Sequence, residues 1–446
     1  MALDSRSEIA LPQRISQIVD HAEKVNERTN AFSIIDREGS LERAEELAQT
    51  GATAKQLLFG EAVTVKDSMN VPGLPRWHGS ASHPGALSTG ASVPVQRLND
   101  AGAVLVAKTT MPDYGLLASG LSSQYGIIRN PWDLLMSPGG SSAGAAICAA
   151  TGVTRFSVGT DIAGSVRLPA AHCGISALKP TQGGLGYAPA STWRSAGPMA
   201  RTIADVRTLF SVLCGPAVED QLSLRITGQN EVEGLTLRGL RAGVIEWPGY
   251  GRSMDTETAA FFDRTLQLLS EAGAVLVGID PGLREEDFAA LDRCLMARCL
   301  SELAGCPPEL RDRVLPQVRT WAEPGLSLTA ADYYTDFEHL SAVAAQLAVL
   351  YDSVDVIVSP VMGDHRFAAE DFGPDTSQAL LYHTNFTCWY NQTGQPAVAL
   401  PMGLSDAGHP IGLQIVGQRF EDYALLNVAE SVERLLDVGL SYPDFE

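Results

Sequence analysis

Apolar and polar positions follow two periods along this chain. Over residues 7–31 and 39–58, Glu, Arg and Gln recur on one side of a helical repeat, which predicts two amphipathic helices. The intervening Ala31-Phe32-Ser33-Ile34-Ile35 reads as a strand. Residues 61–68 predict a short apolar strand that ends in polar side chains, and residues 94–101 predict a helix. Ala103-Val104-Leu105-Val106-Ala107 is a continuous apolar run, the pattern of a strand covered on both faces. After a loop-rich stretch at 112–140, a Gly-Ser turn leads into the small-residue run 145–150, predicted as a helix. A strand at 154–158 follows, then a second Gly-Ser turn at 159–165. Residues 216–237 are polar and predict a surface excursion. The pattern resumes with a strand at 240–245, a helix at 254–272 and a strand at 274–277. Residues 283–350 are mostly helical, 355–360 predict a buried strand, and 397–401 with 411–416 a hairpin across Asp406-Ala407-Gly408. A helix at 421–436 closes the pattern. Alternating helices and strands without a long linker predict one large α/β domain over 1–446, its mixed sheet covered by helices on both faces.

Composition narrows the function classes. The 446 residues can bury a large core. With 32 basic against 52 acidic residues, the formal net charge of −20 argues against nucleic-acid binding, which needs basic patches. The seven cysteines are scattered without a Cys-x-x-Cys pair, so neither a zinc site nor a disulfide framework is expected. No cationic-then-apolar leader and no long apolar run is visible, so the expectation is a cytoplasmic protein without a membrane partner.

Five lysines, Lys24, Lys55, Lys66, Lys108 and Lys179, stand against a surface of arginines, and the last three follow apolar runs. A lysine at the end of a buried strand can lose its proton through desolvation and act as a base. A serine on a Gly-Ser turn can be a nucleophile with neighbouring N–H groups free for an oxyanion. The eight histidines fall in no recognisable triad motif, and Gly-x-Ser-x-Gly is absent around Ser165. His172 could serve Ser165 as a base, but a structural histidine is the expected reading. Metal-binding spacings, Walker loops and Gly-x-Gly-x-x-Gly are missing, so no metal or cofactor is expected.

The words that remain are Val65-Lys66-Asp67, Asn130-Pro131-Trp132-Asp133, Pro138-Gly139-Gly140-Ser141-Ser142-Ala143-Gly144 and the run from Gly159-Thr160-Asp161-Ile162-Ala163-Gly164-Ser165 to Val166-Arg167. Leu178-Lys179-Pro180-Thr181, Gly197-Pro198-Met199, Asn391-Gln392-Thr393-Gly394 and Gly412-Leu413-Gln414 follow in order. Together, over about residues 20–436, the chain resembles the amidase signature family. The resemblance implies a Ser–cisSer–Lys triad. Ser165 would be the acylated nucleophile, Ser141 a relay preceded by a cis peptide, and Lys66 a base neutral at rest. Backbone N–H groups of Ile162, Ala163, Gly164 and Ser165 would form the oxyanion hole. Residues 1–60 would be an N-terminal helical region, 61–215 the catalytic core, and 283–350 a helical pocket or cap.

Lys108 and Lys179 lack such serine partners and are expected to be structural, Ser142 a hydrogen-bonding support, and Asp161 an organiser of its turn. Arg167 could grip a substrate carboxylate or support the fold. Gly139, Gly140 and Ser119 are further candidates for substrate contact. Ala143 and Ala163 stand where many family members carry Gly, and Gln182-Gly183 replaces the usual Arg-Val. The expected activity is hydrolysis of a small carboxamide, carbamoyl or ureido C–N bond by a stand-alone enzyme, with a homodimer left open. The alternatives are an amidotransferase A-type subunit delivering ammonia to a partner-bound acyl group, and a non-catalytic binding role.

Overall fold

The structure, a computed structural model, describes residues 9–225 and 236–445. Part of the 216–237 excursion and the first residues of the 7–31 helix therefore lie outside the described residues. Chain order gives α1 (Leu11–Thr29), β1 (Phe32–Ile35), α2 (Arg37–Thr50), β2 (Ala62–Lys66), α3 (Val93–Asp100) and β3 (Val104–Thr109). A small hairpin, β4 (Leu121–Ser122) with β5 (Gly126–Ile127), precedes α4 (Ala143–Thr151), β6 (Phe156–Asp161), α5 (Arg167–Cys173), β7 (Ser176–Lys179), β8 (Ser195–Ala200) and α6 (Ile203–Leu213). The second half holds β9 (Arg241–Val244), α7 (Thr256–Glu271), β10 (Val275–Gly278), α8 (Glu285–Ala304), α9 (Pro316–Ala322) and α10 (Ala330–Val349). It ends with β11 (Val356–Pro360), α11 (Trp389–Gln392), β12 (Ala397–Leu404), β13 (Pro410–Val416) and α12 (Asp422–Leu436).

Eleven strands form one mixed sheet in the order β1-β3-β2-β6-β8-β7-β12-β13-β11-β9-β10. The three strands β3, β2 and β6 run parallel, and β8, β7, β12 and β13 continue antiparallel. Side chains alternate between the faces of a strand, and β2 shows it. Ala62 joins the core built with α1, α4, α5 and α8, whereas Val63 and Val65 join the core under α3 and α6. A third cluster packs α6, α7 and α12 against the second half of the sheet. The mixed sheet with helices on both faces agrees with expectation.

Three elements position the site. Strands β2 and β6 are parallel neighbours, so their carboxyl ends, Lys66 and Asp161, lie on the same edge of the sheet. In α/β sheets that edge is where ligands bind. All nine residues of α4 are buried, and five of them are alanine. A helix apolar all round belongs inside a protein. Its small side chains let it lie close on the sheet, which brings its leading residues Ser141 and Ser142 to the end of β2.

No helix among the described residues is long and apolar enough to cross a membrane. The seven cysteines are unpaired and six of them buried.

Candidate active site

Lys66 has no solvent exposure, and its Nζ donates to Ser141 Oγ at 2.7 Å and to Ser142 Oγ at 3.1 Å. Thr160 completes the cradle through Oγ1 at 3.1 Å and its carbonyl at 3.4 Å. Among the described residues no carboxylate pairs with this amine. Burial drives its proton affinity well below that of an ordinary lysine; Asp161 opposes the shift, and Arg194 and Arg298 add to it. Neutralisation is the usual response of a cation buried without a partner. In its unprotonated form the amine can accept a proton from Ser141.

The Gly140–Ser141 peptide is cis, as the resemblance implied. Gly140 itself is required by close approach: a Cβ there would stand 2.4 Å from the Ser119 carbonyl oxygen. Ser142 Oγ accepts from Thr160 N and donates to Thr160 O, both at 3.2 Å, which locks α4 to β6. Its expected supporting role stands on those bonds. Ser142 N also donates to the Ser165 carbonyl at 3.0 Å, tying the two serine turns together.

The second turn is built on Asp161. Its carboxylate accepts from Gly164 N at 2.7 Å and Val166 N at 3.1 Å, and from the Arg167 guanidinium and Asn391 Nδ2. Burial alone would raise its pKa, but the charge and hydrogen bonds of Arg167, with Lys179 and Asn391, hold it well below the usual carboxylate range. Gly164 has φ +119°, and a Cβ there would meet Thr387 Oγ1 at 2.3 Å. The turn thus admits only glycine at this position.

Two sequence expectations need correction. Gly164 N–H is engaged by Asp161 and is not free for an oxyanion. Ile162, Ala163 and Ser165 retain N–H groups without a protein acceptor among the described residues. Arg167 does not reach a substrate. It is fully buried, and its five N–H groups bond Asp161, Thr387 O, Gln414 Oε1 and Asn391 Oδ1. It supports the fold.

Ser141, Ser165, Thr160 and Ile162 line one narrow cleft together with Ser68, Arg194 and Arg298. His78, Met111, Tyr114 and Gly115 close its remaining wall. Sequence reasoning does not single out Arg194, Arg298, Ser68 or His78. Two of them lie on a loop and a cap helix far along the chain from the serine turns, and the 283–350 segment reads as a pocket wall without any one residue standing out. Ser119 and Gly139 do not line this cleft: Ser119 is fully buried, and a Cβ on Gly139 would strike the His172 ring.

His172 makes no hydrogen bond to Ser165 among the described residues. Burial lowers its pKa to about 3, with small contributions from other histidines, and its ring packs edge-on against Phe367. Lys108 pairs with Asp67 at 2.9 Å, and Lys179 donates to its neighbour's carbonyl at 2.8 Å; both are structural. Gln182 anchors its loop, accepting from Ser195 Oγ and donating to the carbonyls of Ser191 and Arg194.

A mixed sheet of this order, with two serine turns and a buried lysine at one edge, is the amidase signature fold. The Amidase family model matches residues 13–426, and the chain belongs to that family. The chain is 30% identical to the A-type subunit of Glutamyl-tRNA(Gln) amidotransferase from Cyanothece sp., over 93% of each sequence. It is also 30% identical to the protein of the same name from Coxiella burnetii, over 94% of this chain and 92% of that one. Among solved structures it resembles 6-aminohexanoate cyclic dimer hydrolase complexed with substrate, with TM-score 0.87, 25% identity, and 98% and 96% of the two chains covered.

Proposed function

We propose that the chain cleaves the C–N bond of a small carboxamide through an acyl-enzyme on Ser165. The observation that carries this reading is Lys66, buried without a carboxylate and 2.7 Å from Ser141 Oγ. Ser165 Oγ attacks the carbonyl carbon while its proton passes through Ser141 to the neutral Lys66 amine. The oxyanion forms beside the N–H groups of Ile162, Ala163 and Ser165, each well-placed donor contributing about 3–4 kcal/mol. Lys66 then returns the proton, by the same relay, to the leaving nitrogen. Water attacks the ester and frees the acid. No metal or cofactor enters these steps. Residues 61–215 would supply this core and 283–350 its cap.

The fate of the nitrogen separates two readings. In a stand-alone amidohydrolase it leaves as ammonia or an amine; the likeness to 6-aminohexanoate cyclic dimer hydrolase supports this. In an amidotransferase it passes to an acyl group held by partner subunits, and the names of the curated relatives support this second reading better. A charge of −20 would leave contact with a misacylated tRNA to those partners. Either way the setting is inferred to be cytoplasmic.

A fluorophosphonate should label Ser165, located by mass spectrometry, and Ser165→Ala should abolish ammonia release from amides. Unimpaired turnover in that variant would sink the mechanism. Co-purification of stoichiometric partners, with ammonia transfer only in the complex, would decide for the amidotransferase reading.

A further inference from the structure

Arg194 and Arg298 are two cationic side chains in the cleft that the mechanism leaves unused. Both line the same space as Ser141 and Ser165. Arg298 projects from α8, and its side chain is only 23% exposed. Its nearest carboxylate, Glu302 one turn on, stands 3.9 Å away, outside hydrogen-bond range, and its Nη1 is buried without an acceptor. Arg194 lies over the Tyr187 ring, 4.9 Å from its centre, and its Nε is likewise buried without an acceptor. The two guanidiniums repel each other, and burial with that repulsion brings Arg298 down to about 10. Of the other charged or titratable groups nearby among the described residues, Glu302 is the one carboxylate within ion-pair reach of Arg298, and it offsets part of the shift without a hydrogen bond. Burial lowers the proton affinity of Lys66 and His78, and Asp161 is engaged by Arg167.

Elsewhere the molecule neutralises its clustered cations. A roomier cleft at the opposite, amino-terminal ends of β2 and β6 is lined by Arg155 and Arg201. There Arg155 is paired with Asp205 at 2.6 Å, and Arg201 caps the carbonyls of Ala149 and Ala150. The catalytic cleft, by contrast, keeps two guanidiniums with open donors, whose planar forks fit a carboxylate bidentately. A neutral amide would leave both unpaired.

We propose that Arg194 and Arg298 form an anion subsite that selects amides carrying a carboxylate on the acyl side, such as ω-amido acids. This rests on the Ser165 reading for the position of the scissile bond.

The test compares glutaramate with the neutral pentanamide. Calorimetric binding is measured on Ser165→Ala, which needs no turnover, and kcat/KM on the intact enzyme. Glutaramate is expected to be favoured roughly 10- to 100-fold, the range for a hydrogen bond to a charged group. Arg298→Gln and Arg194→Gln should each erase most of that ratio, and Arg298→Lys should keep part of it. Equal binding of the two amides, or a preference untouched by both Gln variants, overturns the subsite. Absence of turnover and of Ser165 labelling, with the binding preference intact, would instead overturn the catalytic reading alone. If a Gln variant fails to fold, the Lys variants at both positions read the ratio.

Discussion

Lys66 and Lys108 stand on neighbouring parallel strands, and neither has solvent exposure. The register sets Lys66 beside Thr109 and Val65 beside Lys108, so the two amines leave the sheet on opposite faces. On one face Lys108 meets Asp67 at 2.9 Å and the Pro75 carbonyl at 2.6 Å. On the other, Lys66 meets three hydroxyls and a carbonyl. Desolvation lowers the proton affinity of both, but at Lys108 the Asp67 charge and hydrogen bond work against it. Burial is therefore not what makes a base. The neighbour decides: a carboxylate retains the proton, and hydroxyls let it go and then carry it.

Substituting each lysine by methionine separates the two roles. Lys66→Met should lower amide turnover by about 10⁴-fold or more, and adding Ser165→Ala should cost little further, because groups acting as one unit are not additive. Its melting temperature should hold or rise, since no counter-charge is left behind. Lys108→Met should do the reverse. It strands Asp67, a fully buried carboxylate, and should cost about 3–5 kcal/mol in chemical denaturation. A large stability loss at Lys66, or none at Lys108, would break the contrast.

A smaller effect lies between the two. Ser142→Ala removes one acceptor of Lys66 and the bridge to Thr160. Turnover should fall roughly 10- to 100-fold, the loss typical of a group that orients another, with Ser165 labelling slowed to match. The pH profile of kcat/KM should rise through the Lys66 pKa and level off well below pH 10.5, because only the unprotonated amine accepts a proton.

Much of this contrast was legible in the residues. The runs ending at Lys66, Lys108 and Lys179 predict strands that the sheet contains, and the Ser141 and Ser165 turns are recognisable as words. Local pattern fails where the neighbour lies far along the chain. Nothing near Arg167 announces that Gln414 and Asn391 will occupy its donors, or that Thr387 fills the space beside Gly164. β8 is hidden because Gly197-Pro198 interrupts it, and α6 is a short amphipathic helix between strands that the pattern does not set apart. The 39–58 helix ends at Thr50, where Gly51 takes φ +73° and turns follow. Arg298 sits in a helical segment whose repeat shows only that it is helical. Its place at the cleft depends on how α8 meets the sheet.

The comparison of buried bases extends to His172, where the expected effect falls on stability rather than on turnover. Burial holds its imidazole neutral, with a folded pKa of about 3 against 6.5 when unfolded. Between those values the unfolded chain binds a proton that the fold refuses, so stability falls as pH drops from 6.5 toward 3, by at most about 1.4 kcal/mol per pH unit. His383, lowered by burial to about 4, contributes in the same direction over a narrower window. Lys66 obeys the same sign at the other end of the scale: the unfolded amine is protonated up to pH 10.5, so its burden on the fold lightens as pH rises toward that value. His172→Gln should therefore flatten the acid slope of the denaturation free energy by up to one proton while leaving the alkaline slope in place, and Lys66→Met should do the opposite. An acid slope unchanged in His172→Gln would mean that the imidazole is protonated in the fold. The absence of any acceptor at its Nε2 among the described residues argues against that.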